Sequence, residues 1–172
     1  ALVAFRHGKP ELGVRLLKNI AATTERGTLG TFKELIPIGL CFVQLWSAGL
    51  YVQGWAEGLF GLRPRADRHE LGIAPCMPAE WPAAQLNGLR VGAHLLDIRI
   101  APSGLRVAHR AGPQALRLRY RLPGAVETTP AALHSDAEGA WLELDIPAGT
   151  AYQIALQGAH LDIQTDSAQG AA

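Results

Sequence analysis

The stretch FVQLWSAGLYVQGWAEGLFGLRP, residues 42–64, contains the point at which the hydrophobic period of this chain changes. Residues 42–62 are apolar nearly all round, with polar interruptions that include Gln44, Gln53 and Glu57. A helix of this length would be roughly 30 Å long at 1.5 Å per residue. The sequence Gly61-Leu62-Arg63-Pro64 then breaks the helical pattern. Helices are therefore predicted before residue 64 and a different structure after it.

The apolar stretch has two interpretations. A transmembrane helix needs about 20 apolar residues, and Gly54 and Gly58 have the spacing of a helix-packing motif. The polar side chains inside the stretch, and the lack of a basic cluster on its near flank, favour a buried helix of a soluble bundle instead. The sequence therefore predicts a buried helix and no membrane partner.

The residues before this stretch predict a second helix and an unusual loop. In residues 10–25, Leu12, Leu16 and Ile20 recur at helical spacing, and Pro10 suits the first turn of a helix. Residues 27–40 are rich in glycine but carry apolar side chains that need burial. Such a loop between two helices usually lines a functional surface.

After residue 64 the hydrophobic period becomes two, which is typical of strands. Turn residues rich in glycine and proline separate the alternating segments. The apolar positions of these segments are Leu96, Ile98 and Ile100, then Leu116, Leu118, Tyr120 and Leu122, then Leu142, Leu144 and Ile146, and finally Tyr152, Ile154 and Leu156. Short strands at this spacing predict a small antiparallel, sandwich-like β-domain over residues 64–164. Residues 165–172 are small and polar and are predicted to be a frayed tail.

Composition excludes several partners and cofactors. Sixteen basic and fifteen acidic residues give a net charge of +1, so no strong field favours nucleic acid. Arg117, Arg119 and Arg121 alternate with apolar residues, which indicates the solvated face of a strand. Cys41 and Cys76 form no C-x-x-C pair, the six histidines show no ligand spacing, and no glycine-rich phosphate loop follows a strand. No metal and no cofactor are predicted.

Three residues are candidates for a saccharide site. Glu34 lies among apolar side chains, where a carboxylate is costly to bury unless it is paired or used; a surface Glu paired with Lys33 is the alternative. Gln44 and Trp46 stand near the start of the apolar helix. An amide bonds sugar hydroxyls and an indole ring stacks on the apolar face of a pyranose. A structural role for Trp46 in the core is the alternative.

Four segments, in order, resemble one family of glycosidases. They are Phe32-Lys33-Glu34-Leu35, CFVQLWSAG at residues 41–49, EGLFGLRP at residues 57–64 and LGIAPCMPAEW at residues 71–81. Together they resemble the C-terminal part of amylo-alpha-1,6-glucosidase and of glycogen-debranching-like six-hairpin glycosidases. The resemblance covers residues 10–100. Sugar phosphorylases with the same barrel have a similar Gly-Leu-Arg-Pro exit and stay an alternative.

The resemblance implies an α+β chain: residues 1–63 would be the terminal helical hairpin of an (α/α)6 barrel, followed by the β-domain. It also implies that Glu34 is the general base of an inverting glycoside hydrolase acting on α-glucosidic or related oligosaccharides, with Gln44 and Trp46 in the wall of the site. Inverting enzymes pair two carboxyl groups across a water, and the partner acid would lie in earlier helices.

The chain opens without an initiator Met, on residues that read as the end of a helix. It is therefore predicted to be a fragment of a cytoplasmic enzyme, inactive alone, whose partners are the oligosaccharide and the preceding barrel helices of its parent. A non-catalytic carbohydrate-binding or structural module is the third interpretation. Against it, few aromatic side chains (Trp141 and Trp81) are expected to be exposed in the β segment.

Overall fold

The computed structural model describes residues 1–24, 32, 44–124, 126 and 132–168. The chain forms two compact units. The first contains Ala1–Gly61 and Cys76–Pro78, and the second contains Leu62–Pro75 and Ala79–Ala172. Each unit is described by itself below.

The described part of the first unit is helical. Its elements are α1 (Leu2–Arg6), α2 (Pro10–Ala21), α3 (Leu45–Gln53) and a π-helix (Gly54–Leu59) that continues α3 without a break. Pro10 occupies the start of α2, where its missing N–H costs no hydrogen bond. The core of this unit is small, and its largest buried side chains are Phe5, Val14, Leu17, Leu59 and Phe60.

Glycines allow these helices to approach closely. The Phe5 ring of α1 lies against Gly13 of α2 and Gly58 of the π-helix, and a Cβ atom at Gly13 would be 2.7 Å from the ring. A Cβ at Gly54 would likewise lie 2.7 Å from Leu17 of α2. The π-helix therefore packs on both α1 and α2.

The predicted fold class, a terminal hairpin of an (α/α)6 barrel followed by a small β-domain, is wrong. Strands make up 46% of the structure and helices 24%, so β-structure dominates. The five-residue helix α1 contributes Phe5 to the helical core, and the described helices form a cluster of short segments rather than a two-helix hairpin. The helical spacing of apolar residues predicted α2 correctly, but such spacing carries no information about which helices pack together.

The predicted burial of the apolar helix is also wrong for α3. This helix has no buried residue, and four of its large apolar side chains are exposed: Leu45, Trp46, Leu50 and Val52. Burial begins in the π-helix, at Gly54, Gly58 and Leu59.

Within the described ranges, no helix combines the length and the apolar character that crossing a membrane requires.

The second unit is built of strands. They are β1 (Leu62–Arg65), β2 (Glu70–Ile73), β3 (Ala84–Val91), β4 (His94–Ala101), β5 (Gly104–Ala111), β6 (Leu116–Arg121), β7 (Ala132–Asp136), β8 (Gly139–Ile146), β9 (Thr150–Gln157) and β10 (His160–Ser167). A 3-10 turn (Ala66–Arg68) joins β1 to β2. Residues 165–167, predicted as part of a tail, are thus in β10, and residues 169–172 lie outside the described residues.

The strands form two five-stranded sheets. Sheet A has the order β1-β2-β6-β8-β7, and sheet B has the order β10-β9-β5-β4-β3. Neighbouring strands are antiparallel except β2 and β6, which are parallel. Apolar side chains at every second position are buried in β4 and β6, for example Leu96 and Leu118, because alternate residues of a strand face the same side. The segments of period two are therefore strands, as the sequence predicted.

Candidate functional site

Gln44 and Trp46 lie at the N-terminal end of α3. Gln44 is the residue before the helix, in an extended conformation (φ −100°, ψ 99°), and its side chain does not cap the helix. Its backbone N–H donates to the carbonyl oxygen of Phe32 at 2.9 Å. Gln44 is half-buried, whereas Trp46 is 68% exposed. The structure therefore presents the Trp46 indole ring to solvent, two residues after the half-buried Gln44.

Apolar and aromatic side chains continue this surface along the helix. Leu45 is 80% exposed. Tyr51 contacts Phe32 with ring centroids 5.0 Å apart, and contacts Trp55 edge to face at 6.1 Å. The aromatic contacts hold Phe32 against α3, so the residue before Lys33 and Glu34 is placed beside the helix.

Glu34, the predicted general base, lies outside the described residues, as does Cys41. Its distance from Gln44 and Trp46 is therefore not defined by the structure.

The second unit contains a polar cluster that the sequence did not predict: a chain of three histidines. His69 Nδ1 lies 2.9 Å from His94 Nε2, and His94 Nδ1 lies 3.0 Å from His109 Nε2. His109 Nδ1 then lies 2.8 Å from the carbonyl oxygen of Ile146. His94 and His109 are 1% and 0% exposed. The chain links strands β4 and β5 of sheet B to β8 of sheet A.

The carbonyl at the end of the chain determines where the protons lie. A carbonyl oxygen can only accept, so His109 Nδ1 carries a hydrogen and donates it. In the neutral ring His109 Nε2 then accepts from His94 Nδ1, and His94 Nε2 accepts from His69 Nδ1. The order of hydrogen bonds follows from that single acceptor.

The buried middle ring of the histidine chain, His94, is held in its neutral form. Burial lowers the pKa of His94, and the neighbouring His109 and His69 lower it further, because a charged ring is poorly solvated there. Gly112 closes the cluster from one side: a Cβ atom at this position would overlap His109 Nε2 and His94 Nδ1.

His69, at the outer end of the histidine chain, is accessible to solvent. In the described part of the molecule no buried side-chain nitrogen or oxygen lacks a hydrogen-bond partner. His69 Nε2 has no described partner and must therefore contact solvent. His69 has a left-handed backbone (φ 51°) and lines a shallow cavity of about 290 Å³ with Arg68, Gln114 and Arg117. The chain thus offers one proton-accepting nitrogen to a polar surface.

The signal for the two buried histidines was present in the sequence. His94 is in phase with Leu96, Ile98 and Ile100 on β4, and His109 is in phase with Leu105 and Val107 on β5. A period of two therefore places both rings on the buried face. Metal-ligand spacing was the wrong criterion for them, and no group of three or more metal-ligating side chains is found among the described residues.

The remaining aromatic candidates offer no platform for a sugar ring. Trp141 is 2% exposed. Its ring lies beneath the guanidinium groups of Arg63 and Arg119, at 5.3 and 5.1 Å from the centroid. Its Nε1 donates to Asp136 Oδ1 at 3.1 Å. Trp81 is half-buried.

The arginine row of β6 contacts carboxylates on β8. Arg117 pairs with Asp145 at 3.4 Å and Arg119 pairs with Glu143 at 2.9 Å. These side chains form an outer strand face, as the sequence predicted, with both signs of charge interspersed.

Comparison of this chain with protein-family models, with curated proteins and with solved structures found no match.

Proposed function

We propose that this chain is a part of a cytoplasmic glycoside hydrolase that cleaves α-glucosidic or related oligosaccharides by acid/base, inverting hydrolysis. The observation that carries the proposal is the exposed indole of Trp46 in the first turn of α3, whose N-cap residue is Gln44. The resemblance of residues 10–100 to glycogen-debranching-like glycosidases, which includes the segment that contains Gln44 and Trp46, also supports it.

The two side chains have complementary roles on a sugar. The indole ring offers a flat apolar face to the C–H groups of a pyranose. The amide both donates and accepts hydrogen bonds, as the ring hydroxyls do. Because Trp46 is already exposed, a saccharide could stack on it without displacing a neighbouring side chain.

Glu34 is the proposed general base. An inverting enzyme uses one carboxylate to activate a water molecule and a second carboxyl group to protonate the leaving oxygen, about 6.5–9.5 Å away. The proposed partner acid belongs to another part of the parent protein. This chain alone would then bind the saccharide without turning it over.

The exposed apolar residues of α3 support a partner within the parent protein. Leu50 and Val52 are 63% and 64% exposed, and an exposed apolar patch commonly marks an interaction surface. The proposed occupant is a set of helical segments from the same parent chain.

The catalytic proposal is tested by Glu34→Gln in the complete parent enzyme. Removing the base should lower kcat by about 10²- to 10⁴-fold, because positioned proton transfer contributes that much. The matched control is Glu57→Gln, since Glu57 is an exposed carboxylate of the π-helix. Turnover is measured as sugar released from maltoheptaose with phosphate present. An unchanged kcat in Glu34→Gln would refute the assignment, and release of sugar phosphate would identify a phosphorylase instead.

The binding proposal is tested by Trp46→Ala in this chain. Loss of the stacking contact should weaken maltoheptaose binding by roughly 3- to 10-fold, the equivalent of about 1 kcal/mol. Isothermal titration calorimetry measures the affinity without relying on tryptophan fluorescence.

The matched control for that titration is Leu50→Ala, which removes a similarly exposed apolar side chain from the same helix. It should leave the affinity within about 2-fold, since an aliphatic side chain lacks the flat face that a pyranose stacks on. Equal losses in both variants would mean that α3 contributes only general apolar contact.

A further inference from the structure

The outer face of sheet B carries a row of polar side chains that crosses several strands. In register, Gln85 of β3 lies opposite Arg99 of β4, Arg99 lies opposite Arg106 of β5, and Arg106 lies opposite Gln153 of β9. Residues directly opposite each other in an antiparallel pair project from the same face. The row is therefore continuous, and two guanidinium groups stand side by side at its centre.

Both central arginines lack a carboxylate partner. Neither Arg99 nor Arg106 forms an ion pair or a hydrogen bond with any residue that the structure describes. Like charges directly opposite each other destabilise a sheet. By contrast, the arginines at equivalent positions of sheet A, Arg117 and Arg119, each face a carboxylate across the strands. Within the described residues, the pair on sheet B is therefore a positive centre without an ion-pair partner.

Asp97, a carboxylate that lines the same cavity, already has two partners. Asp97 Oδ1 accepts the backbone N–H of Gly88 at 2.8 Å, and Asp97 Oδ2 lies 3.5 Å from Arg110 Nη1. Asp97 thus neutralises Arg110 and fixes one wall of the site. Asp97 forms its described ion pair with Arg110 and not with Arg99 or Arg106.

These groups surround a concavity large enough for a small molecule. The cavity measures about 360 Å³ and is lined by Gln85, Asn87, Asp97, Arg99, Arg106 and Arg110. The amides of Gln85 and Asn87 hydrogen-bond each other at 2.8 Å, which positions them on the rim. Small-molecule sites commonly have volumes of about 300–1,000 Å³. A single oxyanion would leave room for the polar group that carries it.

We propose that the outer face of sheet B binds an oxyanion carried on a small polar molecule, a phosphate ester or a carboxylate, between Arg99 and Arg106. Guanidinium groups form paired, charge-assisted hydrogen bonds with the oxygens of such anions. The Gln85 and Asn87 amides would bind hydroxyl groups attached to the anion. This site lies on the second unit and does not depend on the saccharide function proposed for α3.

The test is a calorimetric titration of the complete chain at constant ionic strength, with chloride as the background anion. The probes are inorganic phosphate, sulfate, glucose 6-phosphate and glucuronate, with glucose as the neutral reference. Arg99→Gln and Arg106→Gln should each weaken binding by about 10-fold or more, because each removes a charged hydrogen-bond donor. Arg106→Lys, which keeps the charge but loses the planar fork, should weaken it by a smaller factor.

Arg90→Gln is the matched control. Arg90 is exposed on β3 of the same sheet, has no described ion pair, and lies outside the cavity. It should change the affinity by less than about 2-fold, since a distant surface charge is screened by salt. Circular dichroism of each variant confirms that the sheets are intact.

The outcomes separate the sources of the anion. Tighter binding of glucose 6-phosphate than of glucuronate would identify a phosphate ester, and the reverse would identify a carboxylate. Absence of saturable binding for all four anions would overturn the proposal. So would equal losses in Arg99→Gln and Arg90→Gln.

Discussion

At the scale of single residues, the histidine chain shows how one acceptor determines the state of three side chains. The Ile146 carbonyl requires a hydrogen on His109 Nδ1, and each ring then donates to the next. Burial makes a charge on His94 unfavourable. The cluster therefore depends on neutral rings, and this has a measurable consequence for stability.

The lowered pKa of His94 predicts a pH-dependent loss of stability. In the unfolded chain the pKa of His94 is near its ordinary value of 6.5, while in the folded chain His94 takes up its proton only at lower pH. The unfolded state binds more protons between these two values, so stability is complete above pH 6.5 and falls as the pH drops through the folded pKa. The slope has an upper limit of about 1.4 kcal/mol per pH unit for one group.

Urea denaturation between pH 5 and 7.5 measures this effect. His94→Gln should flatten the dependence of the free energy of unfolding on pH, while lowering stability at pH 7.5. The control is His134→Gln, which removes an exposed histidine of β7 and should leave the slope unchanged. The same slope in His94→Gln as in the unsubstituted chain would contradict the assignment.

Residue roles were only partly predictable from the sequence. The side-chain types of Gln44 and Trp46 suit a sugar, whereas spacing alone favoured a core role for Trp46, and the structure leaves Trp46 exposed. The sugar-binding role stays a prediction. His69, His94 and His109 are separated by 25 and 15 positions, so their contact depends on strand pairing between distant segments. No local pattern contains that information.

At the scale of elements, the packing of α1 against α2 and the π-helix depends on residues without side chains. Gly58 faces the Phe5 ring closely enough that a Cβ atom there would overlap it. Gly49 of α3, in contrast, has open space around its Cα. The two positions are both helical glycines, but their surroundings are opposite.

Alanine at these two glycines should therefore change stability in opposite directions. Gly58→Ala should destabilise the first unit by about 1–3 kcal/mol, because an added methyl group forces Phe5 to move. Gly49→Ala should stabilise it by up to about 1 kcal/mol, because alanine has the higher helix propensity. Thermal denaturation followed by circular dichroism at 222 nm compares them. Stabilisation by both variants would show that Phe5 can move without cost.

The apolar stretch of α3 explains why element burial was predicted incorrectly. Its composition gave the expectation of a buried helix, yet hydrophobicity records the preference of a side chain and not what covers it. Leu45 and Val52 are exposed because nothing in the described chain packs on them. The helix itself was predicted correctly, since its helical residues 45–59 fall within the apolar stretch.

At the scale of the whole molecule, the hydrophobic period of two predicted the strands, but it did not predict how the strands are arranged in sheets. The alternation of burial in β4 and β6 follows from one buried face per strand. In β8 and β9 the burial does not alternate strictly. The parallel pairing of β2 with β6 brings together segments more than 40 residues apart, and the sequence contains no local signal for it. The barrel hairpin was wrong because a resemblance of short motifs does not determine how helices pack.

The charge distribution is likewise a property of the whole molecule. A net charge of +1 gave no reason to expect a nucleic-acid partner, but this sum over the chain does not show how the charges differ between the two sheets. Sheet A pairs its central arginines with carboxylates, and sheet B leaves Arg99 and Arg106 without a described partner. Register, which composition cannot provide, creates the positive centre.

The contacts in the histidine chain also make four positions depend on one another: His69, His94, His109 and Gly112. If His109 were lost, His94 would have no acceptor for its hydrogen, and if His94 were lost, His109 would have no donor. Gly112 is needed only while both rings fill the space beside it. A descendant that replaces one member gains little from retaining the others. We therefore expect His69, His94, His109 and Gly112 to be retained or lost together among relatives of this chain, even though they are dispersed along the sequence.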